Sequence, residues 1–275
     1  MHRIGGHLSI AGGHINAIGR TLDIGGNAVQ IFCASPRGWN FAKVDDTTAE
    51  QFKKEAKKQD VSPVYFHASY LINLADGSRI GALSKQLLTH ELKLASKMGV
   101  RGSVIHLGSY KDNGKNHKLL CTNIATILEK IPNDVEFIIE NAGNRKVGQT
   151  IEEIAEIIDE LKDKRLKVCL DTCHLHAAGY DLRTTKSYND FLAMFDKTIG
   201  LDRLSLWHIN DSKDPFGSLR DRHENIGMGE VGVDVFKNIL NHPKTKTIPC
   251  ILEVPGFDGE GPDKKNLDIF KSLIV

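Results

Sequence analysis

Short apolar runs alternate with amphipathic segments along the whole chain. The runs are rich in Val, Ile, Leu and Phe and are bounded by polar or glycine-containing stretches, which is typical of buried β-strands. The predicted strands are His7–Ile10, Val29–Ala34, Val64–His67, Ser103–Leu107, Glu136–Glu140, Lys167–Asp171, Leu204–Ile209 and Cys250–Val254.

The segments between these runs carry helical patterns. The clearest is Thr150–Lys162, where apolar residues recur three and four positions apart. Thr150 is a suitable N-cap, and Glu153 stands three residues later, as in a capping box. Val233–Leu240 and Lys265–Leu273 show the same pattern more weakly. We expect helices at all three segments.

Eight strand-plus-helix units predict an α/β protein with the (β/α)8 TIM-barrel fold. The chain has 275 residues, close to the length at which this barrel forms one unit. The sequence shows no break in composition and no Pro/Ser-rich linker, so we expect a single domain over residues 1–275. An open, doubly wound sheet is the alternative, but eight evenly spaced repeats favour closure.

Most of the predicted strands end at or beside a residue that can bind a metal ion. These strand-end residues are His67, His106, Glu140, Asp171, His208 and Glu253. Two further clusters, Asp171–His174 and Asp221–His223, contain the same residue types. A TIM barrel gathers its functional groups at the C-terminal ends of its strands. Imidazole and carboxylate are ligands of divalent metal ions.

A histidine at a strand end is more often a hydrogen-bonded structural residue than a ligand, so the convergence of several groups is what matters. Neighbouring strand ends lie about 4.8 Å apart, and their side chains can reach one ion. Buried carboxylates without partners are unfavourable and repel one another. Bound cations remove that repulsion. The sequence therefore predicts a metal site at one end of the barrel.

Composition limits the possible partners and compartments. The net charge is +1, so no basic field attracts nucleic acid over the whole surface. No run approaches the ~20 apolar residues of a membrane span, and the N-terminus lacks an apolar signal region. The five cysteines are scattered, without a C-x-x-C pair. We expect an intracellular protein with no membrane partner.

The segment from Asn210 to Gly232 is polar, rich in glycine and too long for a simple βα turn. Its residues 227–232 match the dinucleotide fingerprint G-x-G-x-x-G. That fingerprint requires a preceding strand and a following βαβ unit, and both are missing here. We therefore interpret the glycines as a source of loop flexibility.

Six segments give the chain a resemblance to a known family. They are His67–Leu74, Cys169–His174, Ala177–Asp181, His208–Lys213, Asp221–Gly227 and Leu252–Pro255. These segments resemble endonuclease IV, and the resemblance extends from Gly5 to the C-terminus. It implies a trinuclear zinc enzyme of DNA base excision repair on a TIM barrel. Such an enzyme cuts duplex DNA 5′ to abasic sites and leaves a 3′-hydroxyl and a 5′-deoxyribose phosphate.

The resemblance also implies nine ligands for three zinc ions, with Glu140 bridging the first ion to the second. The other ligands would be His67 and His106 for the first ion, Asp171, His208 and Glu253 for the second, and His174, Asp221 and His223 for the third. Three Zn²⁺ ions and four carboxylates leave a net charge of about +2 for a phosphodiester.

Further roles follow from the same resemblance. Glu140, Asp171 and Glu253 would be the catalytic carboxylates. Arg37 and Tyr70 match the positions that penetrate the DNA. The expected partner is duplex DNA containing abasic sites, and we expect the protein to act as a monomer.

The chain departs from the family pattern at three places. Leu107 and Ser69 stand where the family usually has proline, and the stretch Asn141–Lys146 differs from its usual sequence. We expect these changes to affect loop shape and substrate contacts rather than the number of metal ions.

Two other functions fit part of the pattern. A sugar isomerase or epimerase could use Glu140, Asp171, His208 and Glu253 with one or two metal ions. The additional histidines and Asp221 favour a larger centre. A non-catalytic module that binds nucleic acid or metal is the third possibility, although a complete ligand set beside an open rim favours an enzyme.

Overall fold

The structure is a computed structural model and describes residues 2–110 and 116–275. The strands are β1 Ile4–Leu8, β2 Ala28–Phe32, β3 Val64–His67, β4 Gly102–Ile105, β5 Glu136–Glu140, β6 Leu166–Asp171, β7 Leu204–Ile209, β8 Asp211–Ser212, β9 His223–Glu224 and β10 Cys250–Leu252. The helices are α1 Asn16–Asp23, α2 Asp46–Lys58, α3 Arg79–Met98, α4 His117–Leu128, α5 Ile151–Leu161, α6 Thr172–Ala178, α7 Thr185–Thr198, α8 Val233–Asn241 and α9 Lys264–Lys271, with a 3-10 turn at Leu201–Arg203.

Eight parallel strands form a closed barrel in the order β1-β10-β7-β6-β5-β4-β3-β2. Closure is made by β1, which pairs with β2 on one side and with β10 on the other. The short strands β8 and β9 form a separate antiparallel pair in the connection between β7 and α8. The predicted TIM-barrel class is confirmed.

The predicted first strand, His7–Ile10, was wrong at both ends, because β1 starts three residues earlier and ends at Leu8. β1 begins at Ile4 and includes Gly5 and Gly6, which resemble turn residues in the sequence. A Cβ at Gly5 would lie 1.6 Å from the carbonyl oxygen of Ala28 on the neighbouring strand. Glycine is therefore needed there for close packing of two strands, not for a turn.

The helix predicted at Thr150–Lys162 is α5, and its N-cap is confirmed. The Thr150 hydroxyl accepts a hydrogen bond of 3.2 Å from the backbone N–H of Glu153. The apolar residues of α5 are buried against the barrel, which is what stabilises an amphipathic helix of this length. The two weaker helix predictions correspond to α8 and α9.

One layer of side chains fills the barrel interior below its C-terminal mouth. It consists of Ala28, Tyr65, Val104, Ile138, Cys169, Leu206 and Ile251, all completely buried. Side chains two positions apart point to the same face of a strand. The next inward positions toward the mouth are therefore Gln30, His67, His106, Glu140, Asp171, His208 and Glu253. The fold thus directs six metal-capable side chains and one amide into the same opening.

Among residues 2–110 and 116–275, no helix is long and apolar enough to cross a membrane.

Candidate metal centre

The strand ends form three overlapping groups of potential ligand atoms at the barrel mouth. Within each group the atoms lie no more than 4.8 Å from one another. The groups are His67–His106–Glu140, Glu140–Asp171–His208–Glu253 and Asp171–His174–His223. Glu140 belongs to the first two groups and Asp171 to the last two, so the three groups are linked through shared carboxylates.

Glu140 occupies the middle of the first two groups. Its Oε2 lies 3.3 Å from Nε2 of His67 and 3.2 Å from Nε2 of His106. Its Oε1 lies 3.0 Å from Nδ1 of His208. The side chain is completely buried as the last residue of β5. One carboxylate oxygen therefore faces each group, as a bridging ligand requires.

The third group is built where β6 runs directly into α6. Asp171 ends β6 and caps α6 by accepting a 2.9 Å hydrogen bond from the backbone N–H of His174. This cap fixes the first turn, so that Nε2 of His174 lies 3.0 Å from Oδ1 of Asp221. Nε2 of His223, in β9, lies 3.3 Å from the same oxygen. The structure therefore brings all nine side chains of the expected ligand set together.

Four of the histidines are oriented by a hydrogen bond from one ring nitrogen to an oxygen that is not one of the candidate ligand atoms. The donors and acceptors are His67 Nδ1 to the Ala68 carbonyl (2.8 Å), His174 Nδ1 to the Asn141 carbonyl (2.9 Å), His208 Nε2 to Gln30 Oε1 (2.9 Å) and His223 Nδ1 to the Glu253 carbonyl (3.1 Å). The other ring nitrogen of each histidine faces a carboxylate. This is the arrangement of metal-binding histidines, whose second nitrogen is held by a hydrogen bond.

Ionised carboxylates and protonated imidazoles share the charge of the site. Burial by itself would raise the pKa of Glu140, but the imidazoles of His106 and His208 outweigh it and hold the pKa well below its usual range. Burial would lower the pKa of His67, yet Glu140 and Glu253 raise it to about 9. The ionised carboxylates therefore require nearby positive charge, which bound cations can supply in place of protons.

Several ligand-type atoms in the cluster are buried without a well-directed hydrogen bond. They are Oε2 of Glu140, Nε2 of His174 and Nε2 of His223. Buried polar atoms without partners are unfavourable by about 1–3 kcal/mol each. All three point toward neighbouring ligand atoms at 3.0–3.3 Å. The residues present therefore fit a set of divalent cations with nitrogen and oxygen ligands.

Three supporting residues were missed by sequence reasoning. Gln30 donates from Nε2 to Oε1 of Glu253 at 2.5 Å, and Nδ1 of His7 lies 3.0 Å from the same oxygen. Asn210 donates to Oδ2 of Asp171 and accepts from the backbone N–H of Glu253. A signal for Gln30 was present, because it is the one polar residue in the apolar run of β2. The position of His7 in the sequence indicates no such role.

The glycine-rich connection is ordered around a buried carboxylate, which corrects the prediction of a flexible loop. Asp211 accepts hydrogen bonds from the backbone N–H groups of Gly227, Gly229 and Val231 at 2.9–3.1 Å. A Cβ at Gly229 would lie 2.3 Å from the carbonyl oxygen of Ser212. These glycines allow the chain to wrap tightly around Asp211, and the wrapped loop brings His223 to the candidate ligand groups.

Arg37 and Tyr70 lie on the rim of the same opening, and both are exposed. Tyr70 is 63% exposed, although its ring packs edge-on against Phe32 at 5.4 Å. Ser69 donates from its hydroxyl to the carbonyl oxygen of Pro36 at 2.7 Å. This bond connects the segment that carries Arg37 to the turn that carries Tyr70.

Cys173 lies beside the third group, with its sulfur within 4.8 Å of ligand atoms of Asp221 and His223. Burial raises the pKa of the Cys173 thiol to about 12, and the nearby Asp171 adds to the effect. Without a bound cation, the Cys173 thiol is therefore protonated at ordinary pH.

Comparison with known proteins places the chain in a family. A family model described as a xylose isomerase-like TIM barrel matches residues 18–273. A protein named probable endonuclease 4 from Halothermothrix orenii is 38% identical over 275 residues, covering 98% of this chain and 99% of the relative.

Comparison with solved structures gives a matching result. Endonuclease IV from Thermus thermophilus matches with a TM-score of 0.88 and 32% identity, covering 98% of both chains. A D-tagatose 3-epimerase-like protein matches with a TM-score of 0.70 at only 16% identity, which supports the barrel fold alone. The similarity covers almost the whole chain at more than 30% identity, and the family model matches the same barrel fold. The chain therefore belongs to the endonuclease IV family.

Proposed function

We propose that this protein is a zinc-dependent endonuclease that hydrolyses the phosphodiester 5′ to abasic sites in duplex DNA. The products would be a 3′-hydroxyl and a 5′-deoxyribose phosphate. The observation that carries the proposal is the set of linked ligand groups at the barrel mouth, with four histidines held by hydrogen bonds outside the cluster. Membership of the endonuclease IV family supports it.

The residues would hold three zinc ions. His67, His106 and Glu140 would bind the first, and Glu140 would bridge it to a second bound by Asp171, His208 and Glu253. His174, Asp221 and His223 would bind the third. Nitrogen and oxygen donors of this kind suit Zn²⁺. Within each group the ligand atoms lie within 4.8 Å of one another, close enough to bind the same ion.

Zinc would supply a Lewis acid that activates water near neutral pH and stabilises negative charge on the phosphodiester. The chain would contribute positioning. Gln30, His7 and Asn210 fix Glu253 and Asp171 through hydrogen bonds. The buried strand ends keep the ligands rigid. No side-chain nucleophile is required, and Glu140, Asp171 and Glu253 would act as the catalytic carboxylates through the ions they bind.

DNA recognition would use the exposed rim. An abasic nucleotide has no base to stack, so moving it out of the helix requires less energy than for an intact nucleotide. Tyr70 offers a flat ring and Arg37 a guanidinium that could fill the resulting gap. With a net protein charge of only +1, the bound cations would provide much of the attraction for the backbone phosphate.

The decisive assay uses a duplex with one abasic site, end-labelled on either strand. The zinc-loaded protein should nick the damaged strand on the 5′ side, and the fragment should be extendable by a polymerase because it carries a 3′-hydroxyl. Cleavage should stop after treatment with a chelator and return with zinc, without magnesium. An undamaged duplex is the control. Failure to nick, together with epimerisation of a ketose sugar, would instead support the epimerase alternative.

A further inference from the structure

A second cluster of metal-capable side chains lies on the outer helices, away from the barrel mouth. His117 and Cys121 stand four residues apart in α4, and Glu160 lies in α5, which packs beside it. Nε2 of His117 lies 3.4 Å from Sγ of Cys121 and 2.9 Å from Oε2 of Glu160. All three ligand atoms lie within 4.8 Å of one another.

The separations match those expected around one tetrahedral ion. Zinc bonds of about 2.3 Å to sulfur and about 2.0 Å to nitrogen or oxygen place sulfur about 3.5 Å from nitrogen, and nitrogen about 3.3 Å from oxygen. The observed values, 3.4 Å and 2.9 Å, require adjustments of a few tenths of an ångström. Residues at positions i and i+4 share one helix face, so α4 presents both ligands together.

Exposure at the cluster allows an ion to enter from solvent. Cys121 is buried, whereas the side chains of His117 and Glu160 are 31% and 48% exposed. His117 is the first residue of α4, so its side chain lies at the exposed end of the helix. A neutral imidazole is the form that binds metal ions.

We propose that His117, Cys121 and Glu160 form a separate surface site for one thiophilic divalent cation, such as Zn²⁺ or Cd²⁺. Solvent water completes the coordination. On binding, the S–H bond of Cys121 breaks, the sulfur keeps the electron pair and bonds to the ion, and the proton leaves to solvent. The ion joins α4 to α5 and adds to the stability of the folded state. This site is independent of the proposed nuclease activity.

The site should be weaker than the central one. Burial and the Glu160 carboxylate raise the pKa of the Cys121 thiol to about 12, so the proton competes effectively with the cation. The apparent affinity should therefore increase as the pH rises, and each bound ion should release one thiol proton.

The test titrates Cd²⁺ into the zinc-loaded protein and records thiolate-to-metal absorption in the near ultraviolet. We expect one additional equivalent with a thiolate band, accompanied by an increase in the unfolding temperature. Cys121→Ser and His117→Gln should abolish both effects, and Glu160→Gln should weaken binding at least several-fold. His242→Gln, a change at another surface histidine, should leave them unchanged.

Two results would overturn the proposal. One is the absence of any additional equivalent in the parent protein. The other is a thiolate band that persists in Cys121→Ser, since it would arise from another cysteine such as Cys173. Circular dichroism of each variant establishes that it is folded, and His117→Gln provides a second route if Cys121→Ser does not fold.

Discussion

The amide oxygen of Gln30 lies 2.9 Å from Nε2 of His208, on the opposite side of the imidazole from the carboxylates. This contact holds a ring proton on Nε2, so Nδ1 is the nitrogen that faces Glu140 and Glu253, at 3.0 Å and 3.3 Å. The amide nitrogen of Gln30 meanwhile holds Glu253. One buried residue outside the candidate ligand set therefore orients two members of that set.

Gln30→Ala should weaken metal binding without removing a ligand. Loss of an outer hydrogen bond of this kind typically lowers metal affinity about 10–100-fold. Zinc affinity can be measured by competition with a chromophoric chelator, using Gln59→Ala on the surface as the control. An affinity within two-fold of the parent would show that Gln30 does not orient the ligands.

Replacing ligands should separate incision from folding. His223→Ala removes a side chain from a surface connection, so we expect loss of incision with an almost unchanged unfolding temperature. Glu140→Ala should be more severe, because it removes a carboxylate shared by two groups and leaves histidines unpaired at its position. Incision and thermal unfolding measured in parallel test this order. Near-parental turnover by Glu140→Ala would exclude the bridging role.

The double variant Arg37→Ala/Tyr70→Ala should keep its zinc but bind abasic duplex more weakly. Loss of one stacking contact is worth roughly 1–3 kcal/mol, which corresponds to about a 5- to 150-fold weaker affinity. Fluorescence anisotropy with a labelled abasic duplex measures the change, and zinc content serves as the control. Unchanged binding and nicking would mean that both residues are only part of the rim.

Stability should depend on pH through Glu91, a buried residue of α3 that accepts a hydrogen bond from Ser103. Burial raises the pKa of Glu91 to about 7, above its ordinary value of about 4.5. The neutral form is therefore favoured in the folded state. The stability that it contributes is present in full below about pH 4.5 and is lost as the pH rises through about 7.

The free energy of unfolding of the parent, relative to Glu91→Gln, should fall by about 1 kcal/mol between pH 6 and pH 8. Urea denaturation of both proteins at each pH provides the measurement, and the variant cancels titrations elsewhere in the chain. A difference that stays constant over this range would show that Glu91 does not titrate there.

Much of the fold was predictable because its units repeat. A buried parallel strand is a short apolar run, and β3, β5 and β7 have the predicted bounds. β1 was misplaced because the close strand packing that requires Gly5 depends on Ala28, a residue of another strand. A single sequence does not show such long-range packing.

The candidate ligands were predictable because strand ends meet at the barrel mouth. The hydrogen bonds that hold these ligands in place were not predictable. Those from Gln30 to Glu253 and from Asn210 to Asp171 join residues that are far apart in the sequence. Asp211 illustrates the same limit. Its partners lie 16 to 20 positions later, so the ordered loop resembled a flexible one.

The zinc-to-protein ratio tests the central claim most directly. It should be measured by elemental analysis on the Cys121→Ser protein, which removes the proposed surface site, after gel filtration to discard loosely held ions. A trinuclear centre predicts a ratio close to three, falling toward two in the same protein with His223→Ala. A ratio of one or less in the starting protein would contradict the trinuclear centre.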